Sequence, residues 1–276
     1  MCKNYFFTIV CFLFIFPFRI TYTSVLSPMR ILTNVEIPDK EYLIVGQYTG
    51  NEKIGEVHSV TTYVTKSIVK IYSFWWVYNN KDMPLPKHYT NYNYVFTVDL
   101  STEQMLQMLY DDTEYYVKKN KNKGMFYEDC RFTNNSMIAI LKFWDGEDIR
   151  EKRYEFKNVD LNYPFWHYMP FFLIGARIYD WKSPGYINIW QEYVKEPFLA
   201  RFKIVNDNVV IETKLGKIST TEVIAEIQDP VFAGLMKQFT DAMKLWYENG
   251  PKRRWVKFSL DIGNQYWIIE QDKLWK

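Results

Sequence analysis

Lys244-Leu245-Trp246-Tyr247-Glu248-Asn249-Gly250-Pro251-Lys252-Arg253-Arg254-Trp255-Val256-Lys257-Phe258-Ser259-Leu260 reads as an aromatic strand, a turn and a second strand. Val256, Phe258, Leu260 and Ile262 alternate with Lys257, Ser259 and Asp261, the period of two that gives a sheet one apolar and one solvated face. This stretch predicts a chain that ends in hairpin-rich β-structure.

The same reading extends upstream. Strands are predicted over Glu41 to Tyr48 and Ile54 to Thr65, joined at Thr49-Gly50-Asn51-Glu52, where Gly50 and Asn51 tolerate positive φ. Ser67 to Tyr78 is a strand with Trp75 on one face and Trp76 on the other, and neither face is polar. Such a strand is covered on both sides or exposes an aromatic patch that meets a partner. Pro84 and Pro86 make 79–89 a loop, and a strand follows over Asn91 to Leu100. Ser101 with Gln104 forms a capping-box pattern, so a helix is expected through Asp112, with Met105, Leu106, Met108 and Leu109 as its apolar stripe. Two hairpins follow, Glu114 to Lys119 with Met125 to Thr133, and Ser136 to Phe143 with Ile149 to Phe156. Lys118, Lys119, Lys121 and Lys123 mark the first tip as solvated, or as a contact for membrane headgroups.

Val159 to Trp181 breaks this rhythm. It is too apolar for a solvent loop and too interrupted by Pro164 and Pro170 for a long helix. It is expected to lie on the concave side of the sheet, either as a core plug or as a lid. Strands resume at Gly185 to Tyr193, Phe198 to Asn206, Val209 to Lys214 and Ser219 to Ile227, and Asp229 with Pro230 starts a helix through Ala242. The final two or three strands run from Leu245 to Glu270. With no repeat and no shift in composition, the fold expected is mainly β: a single large, strongly curved antiparallel sheet, a half-barrel or open barrel, with one to three short helices packed on it.

The chain has 276 residues, of which 19% are aromatic, enough for a sizeable core in one domain. Aromatic enrichment suits strands, and suits a sheet that grips apolar material. Lys and Arg number 34 against 32 Asp and Glu, a balance that gives no footprint for nucleic acid. Lys3, the apolar run Tyr5 to Phe16, and Thr21, Thr23 and Ser24 compose an export signal. Residues 1–24 are read as the signal peptide and 25–276 as the domain; retention of the signal as an anchor is the alternative, although the run is shorter than the roughly 20 residues that span a bilayer. Cys2 and Cys11 fall in the signal, which leaves Cys130 as the one cysteine of the exported chain and no intrachain disulfide. Cys130 is read as a packed small residue.

No catalytic constellation emerges. His58, His88 and His167 are scattered, and no Cys or His spacing suits zinc. Nucleophile-elbow and phosphate-loop glycine patterns are lacking. Asp111-Asp112, Glu128-Asp129 and Asp145 with Glu147 read as solvated turn charges. No enzyme, metal or cofactor is expected.

Tyr42 to Glu56 with its Gly55-Glu56, the segment Asp160 to Gly175, Gly216 with Ser219 to Ile227, and Trp246-Tyr247-Glu248 leading to Arg254-Trp255-Val256-Lys257-Phe258 carry a resemblance. In these pieces the chain resembles a family of secreted bacterial proteins of unknown function, whose fold is similar to the half-barrel of the lipoprotein carriers LolA and LolB. The resemblance implies a periplasmic or cell-envelope protein whose curved sheet surrounds an apolar concavity. Such a surface would bind a lipid or another hydrophobic ligand through burial of apolar area alone, with an envelope protein or the membrane surface as further partners. Trp75, Trp76, Phe165, Trp166, Tyr168, Phe171 and Phe172 are the residues expected to line it. An outer-membrane β-barrel, whose aromatic girdles need the same composition, and a structural or interaction module of the envelope are the alternatives.

Overall fold

The computed structural model describes residues 30, 32, 34–78, 89–102, 104–111, 124–133, 136–157, 165–167, 171–183, 185–190, 198–228, 243–260 and 264–274. The expected signal peptide, the expected helix over 229–242 and the expected strand over 114–119 lie outside them.

Among the described residues fifteen strands form one sheet. They are β1 (Glu41–Thr49), β2 (Glu52–Tyr63), β3 (Ile68–Tyr78), β4 (Tyr89–Asp99), β5 (Gln104–Asp111), β6 (Gly124–Thr133), β7 (Ser136–Trp144) and β8 (Ile149–Lys157), then β9 (Phe165–His167), β10 (Ile187–Trp190), β11 (Phe198–Thr213), β12 (Gly216–Ile227), β13 (Met243–Glu248), β14 (Trp255–Leu260) and β15 (Gln265–Leu274). The spatial order is β8-β7-β6-β5-β4-β3-β2-β1-β15-β14-β13-β12-β11-β10-β9. Two meanders therefore meet where β1 pairs with β15, from Glu41 opposite Leu274 to Thr49 opposite Gln265. Neighbours are antiparallel except β9, which runs parallel to β10. The sheet is curved and among the described residues does not close, and its edge strand β9 lies against β5.

The strand expectations hold to within two residues for β1 to β4, β7 and β8. The expected pair Phe198 to Asn206 and Val209 to Lys214 is one long strand, β11, whose register against β12 slips around Asn206, where Asn208 takes a φ of 60°. At the β1–β2 turn Gly50 has a φ of 56°, a conformation a side chain disfavours.

The expected helix over 101–112 is a strand, β5. Met105, Met108 and Tyr110 are buried while Leu106, Gln107 and Leu109 are half-buried. A bulge explains the helical look of that spacing: Met105 pairs with Val98 and Gln107 with Thr97, which leaves Leu106 as the extra residue. One inserted residue turns a period of two into a local spacing of three. Ser101 is a turn residue rather than a cap, held through its N–H and hydroxyl by Asp99 Oδ1 at 2.9 and 2.6 Å. β6 pairs with β5 on one side and with β7 on the other.

A second bulge corrects the alternation read in the last hairpin. Tyr247 pairs with Trp255 and Trp246 with Lys257, so Val256 is extra. Trp255 joins the main core, and Val256 a smaller cluster with Leu43, Ile218 and Ile269. Lys257 and Ser259 are half-buried rather than solvated.

The main core covers one face of the sheet, from Phe132 and Met137 through Phe96, Ile71, Val57 and Val45 to Trp267, Leu245 and Val223. The interrupted apolar segment fills its hollow. A π-turn, Phe171–Gly175, runs into one helical turn, α1 (Ala176–Ile178), and Leu173, Ile174, Ala176, Ile178, Tyr179 and Trp181 are all buried in the core. Over 173–181 the segment is thus a plug. Arg177 donates to both carboxylate oxygens of Glu41 and to the carbonyl of Lys252. Arg253 lies 3.6 Å over the Trp181 ring and donates to the Tyr179 carbonyl. The lead-in chain completes the clamp through Leu32 N–H to the Ile178 carbonyl and Asp180 N–H to the Arg30 carbonyl.

Candidate functional site

Of the expected lining residues, Trp75 stands opposite Val57 and Trp76 opposite Glu56. Phe165 and Trp166 stand opposite Asn188 and Ile189 in β9, and Phe171 and Phe172 open the π-turn. The side chains of these six, and Tyr168 altogether, lie outside the described residues.

A different surface is described on the wing formed by β6, β7 and β8. Residues directly opposite one another in antiparallel strands share a face, and four such rows continue the core face to the sheet edge: Phe132, Met137 and Phe156; Cys130, Ala139 and Tyr154; Glu128, Leu141 and Lys152; Met125, Phe143 and Arg150. The β6 and β7 members of the first three rows are buried, with Cys130, Ala139 and Glu128 fully so. Towards the edge, Phe143, Tyr154 and Phe156 are half-buried against that core. The Tyr154 and Phe156 rings lie nearly parallel with centroids 6.5 Å apart. Lys152 Nζ sits 5.2 Å from the centre of the Phe143 ring.

The strand that carries this edge is charge-sorted. Arg150, Lys152, Tyr154 and Phe156 share the core face, while Glu151, Arg153 and Glu155 share the other. Among the described residues Lys152 has no ion-pair partner, and the Arg150 pair with Asp145, 2.8 Å, is on the surface, where such pairs hold little energy. Sequence reasoning found β8 but passed over this pattern, which is legible in Ile149 to Lys157 once the strand is read by face.

The opposite face carries a polar network. His58 Nε2 donates to Glu56 Oε1 at 2.8 Å, so its Nδ1 accepts from the Tyr42 hydroxyl. Lys53 donates to Glu56 Oε2 at 2.7 Å and to Glu270 Oε2 at 2.8 Å. Glu270 Oε1 accepts from Lys214 at 2.7 Å and from the Tyr48 hydroxyl. Tyr48 in turn stacks on Tyr266, 5.1 Å between centroids. Burial pushes the Glu270 carboxyl up, but the hydrogen bonds from Lys214, Lys53 and Tyr48 outweigh it and hold it at about 2. Glu56 is likewise lowered against its burial by Lys53 and His58, and Tyr48 is raised by burial and by Glu270. Two cations balance two carboxylates here. The arrangement ties β1, β2 and β15 to the end of the β11–β12 hairpin.

An open polar cleft of 420 Å³ lies between that hairpin end and the β13–β14 turn, lined by Leu215, Lys217, Ile218, Ser219, Glu248, Asn249, Arg254 and Asp272. Arg254 is already bound to both Glu248 oxygens at 2.6 Å and to Asp272. Among the described residues no group of three His, Cys, Asp or Glu side chains could hold a metal ion. Cys130 is fully buried, with Sγ 3.4 Å from Glu128 Oε1.

No family model and no curated protein matches the chain. Among solved structures it is similar to a protein of Bacteroides fragilis, proposed to be exported and having a YmcC-like fold, at 9% identity and a TM-score of 0.34, over 90% of this chain and 98% of that one.

Proposed function

We propose that the chain is a non-enzymatic protein of the cell envelope that holds a hydrophobic ligand on the core face of its β6–β8 wing. The observation that carries this reading is the continuity of the core into the half-buried aromatics Phe143, Tyr154 and Phe156 at an open sheet edge. A ligand laid there extends the core and gains about 25 cal/mol for each Å² of apolar area removed from water. The export signal read in residues 1–24 supports the location. The carrier class is what the resemblance read in the sequence implies; over 173–181 the chain's own plug is packed into the core.

The barrel alternative needs every strand edge paired, because lipid cannot satisfy free backbone groups. Among the described residues β8 and β9 end the sheet unjoined.

The test is binding of a neutral apolar fluorophore, N-phenyl-1-naphthylamine, to the chain from about Val25, with native mass spectrometry of the same chain taken from its host without detergent. Saturable binding, weakened by Tyr154→Ser with Phe156→Ser, and a lipid-sized adduct support the reading. A clean apo chain that leaves the fluorophore dark sinks it.

A further inference from the structure

Resting on that reading, we infer that the ligand of the wing is a single-chain amphiphile with an anionic head group, the acid held by Lys152 and Arg150 at the Phe143 end and the chain lying along Tyr154 and Phe156. Three observations carry it. The cations and the aromatics are on one face of one strand, in the order Arg150, Lys152, Tyr154, Phe156, so a ligand with a charged end and an apolar body has one orientation. Lys152 differs from Lys142 and Arg131, two other cations of the wing, in what it meets. Lys142 reaches Glu151 at 3.9 Å and Arg131 binds Asp129 at 2.7 Å, whereas Lys152 has only the Phe143 ring beside it among the described residues. The lengths also agree. Arg150 to Phe156 is six strand steps, about 20 Å at roughly 3.4 Å each, and half of a hydrocarbon core of about 30 Å puts one acyl chain near 15 Å, which leaves room for the head group at the Arg150 end. The strip is a single row on β8, Tyr154 and Phe156, with Phe143 opposite Arg150 at its charged end, a width that suits one chain rather than two.

Of the acidic groups nearby, Asp145 meets a cation of the strip, in an exposed pair with Arg150 that a ligand acid would displace. Glu151 and Glu155 belong to the other face, and Glu128 is fully buried one strand inward of Leu141. A charge-assisted hydrogen bond from Lys152 or Arg150 to a carboxylate or phosphate is stronger than one to a neutral hydroxyl.

The experiment displaces bound N-phenyl-1-naphthylamine with oleate, lysophosphatidate or oleyl alcohol, each below its micelle concentration. The anionic ligands should displace it at concentrations lower by about tenfold or more than oleyl alcohol, a difference that shrinks with added salt. Lys152→Gln with Arg150→Gln should erase that preference and leave the potency of oleyl alcohol unchanged. Arg153→Gln, on the opposite face, should keep the preference. Equal displacement by all three ligands, or a preference that survives the double variant, overturns the acid assignment while the apolar site stands. Absence of fluorophore binding overturns both.

Discussion

Arg177 and Glu41 form a bidentate ion pair in the middle of the protein, NH1 to Oε2 at 2.5 Å and NH2 to Oε1 at 3.1 Å, with side chains 1% and 2% exposed. It joins the plug to the first strand. Two charges at that depth are costly to desolvate and are held by geometry and by the extra bonds to the Lys252 and Glu36 carbonyls. Replacing Arg177 by Ala should cost about 3–5 kcal/mol, because Glu41 is left buried and alone. The double change Arg177→Met with Glu41→Leu should cost clearly less. Urea midpoints of the three proteins check both statements, and equal losses would show that the pair acts by packing only.

Glu270 should dominate the acid limb of stability. Its folded value of about 2 lies below its ordinary 4.5, so its contribution is fully present above pH 4.5 and is lost as pH falls through that window to about 2. Glu56 is lowered in the same direction. Melting temperature against pH should therefore fall less steeply between pH 4.5 and 2 for Glu270→Gln than for the natural chain, without becoming flat. Parallel curves would rule Glu270 out as the source.

Gly46 lies beneath Glu270. A Cβ added there would stand 2.5 Å from Oε1 and 2.8 Å from Cδ of Glu270, closer than contact permits, and the carboxylate is fixed by three donors. Gly46→Ala should cost about 1–3 kcal/mol. Measured against Glu270→Ala alone, adding Gly46→Ala should cost less than it does in the natural chain, the remainder coming from Tyr48 Cε2 at 2.8 Å, as thermal unfolding of the two single variants and the double would show.

In β5 the bulge assigns unequal roles to residues that a helix would treat alike. Met105→Ala and Met108→Ala should each cost about 2–5 kcal/mol. Leu106→Ala and Leu109→Ala, at half-buried positions, should cost about 1 kcal/mol or less. Four chemical denaturation curves decide it.

Strands were readable wherever alternation was unbroken and a turn residue closed them, as at Gly50 between β1 and β2 or around Asp145 between β7 and β8. The errors sit at bulges. Leu106 and Val256 each add one residue to a strand, and local sequence carries no record of the partner strand that would reveal them. Ser101 and Gln104 matched a capping pattern because Ser serves turns as well as caps. The plug was legible as an anomaly in 159–181, but not its clamp, since Arg177 and Glu41 are 136 positions apart. The expected ligand residues follow the aromatic density of the sequence, which carries no register. The wing surface needed the register of β6, β7 and β8, which puts Lys152 in the same row as Leu141 and Glu128.

The seam between β1 and β15 also has a kinetic meaning. Each meander, β1 to β8 and β10 to β15, pairs strands that are near in sequence and can form as its hairpins are made. Joining them brings Glu41 to Leu274, a closure over more than two hundred residues whose entropy is lost before any contact rewards it. Until β15 is available, β1 offers an unpaired edge of buried apolar residues, Leu43, Ile44 and Val45, so the folding chain is most open to aggregation and to chaperone capture in the interval before β15 docks.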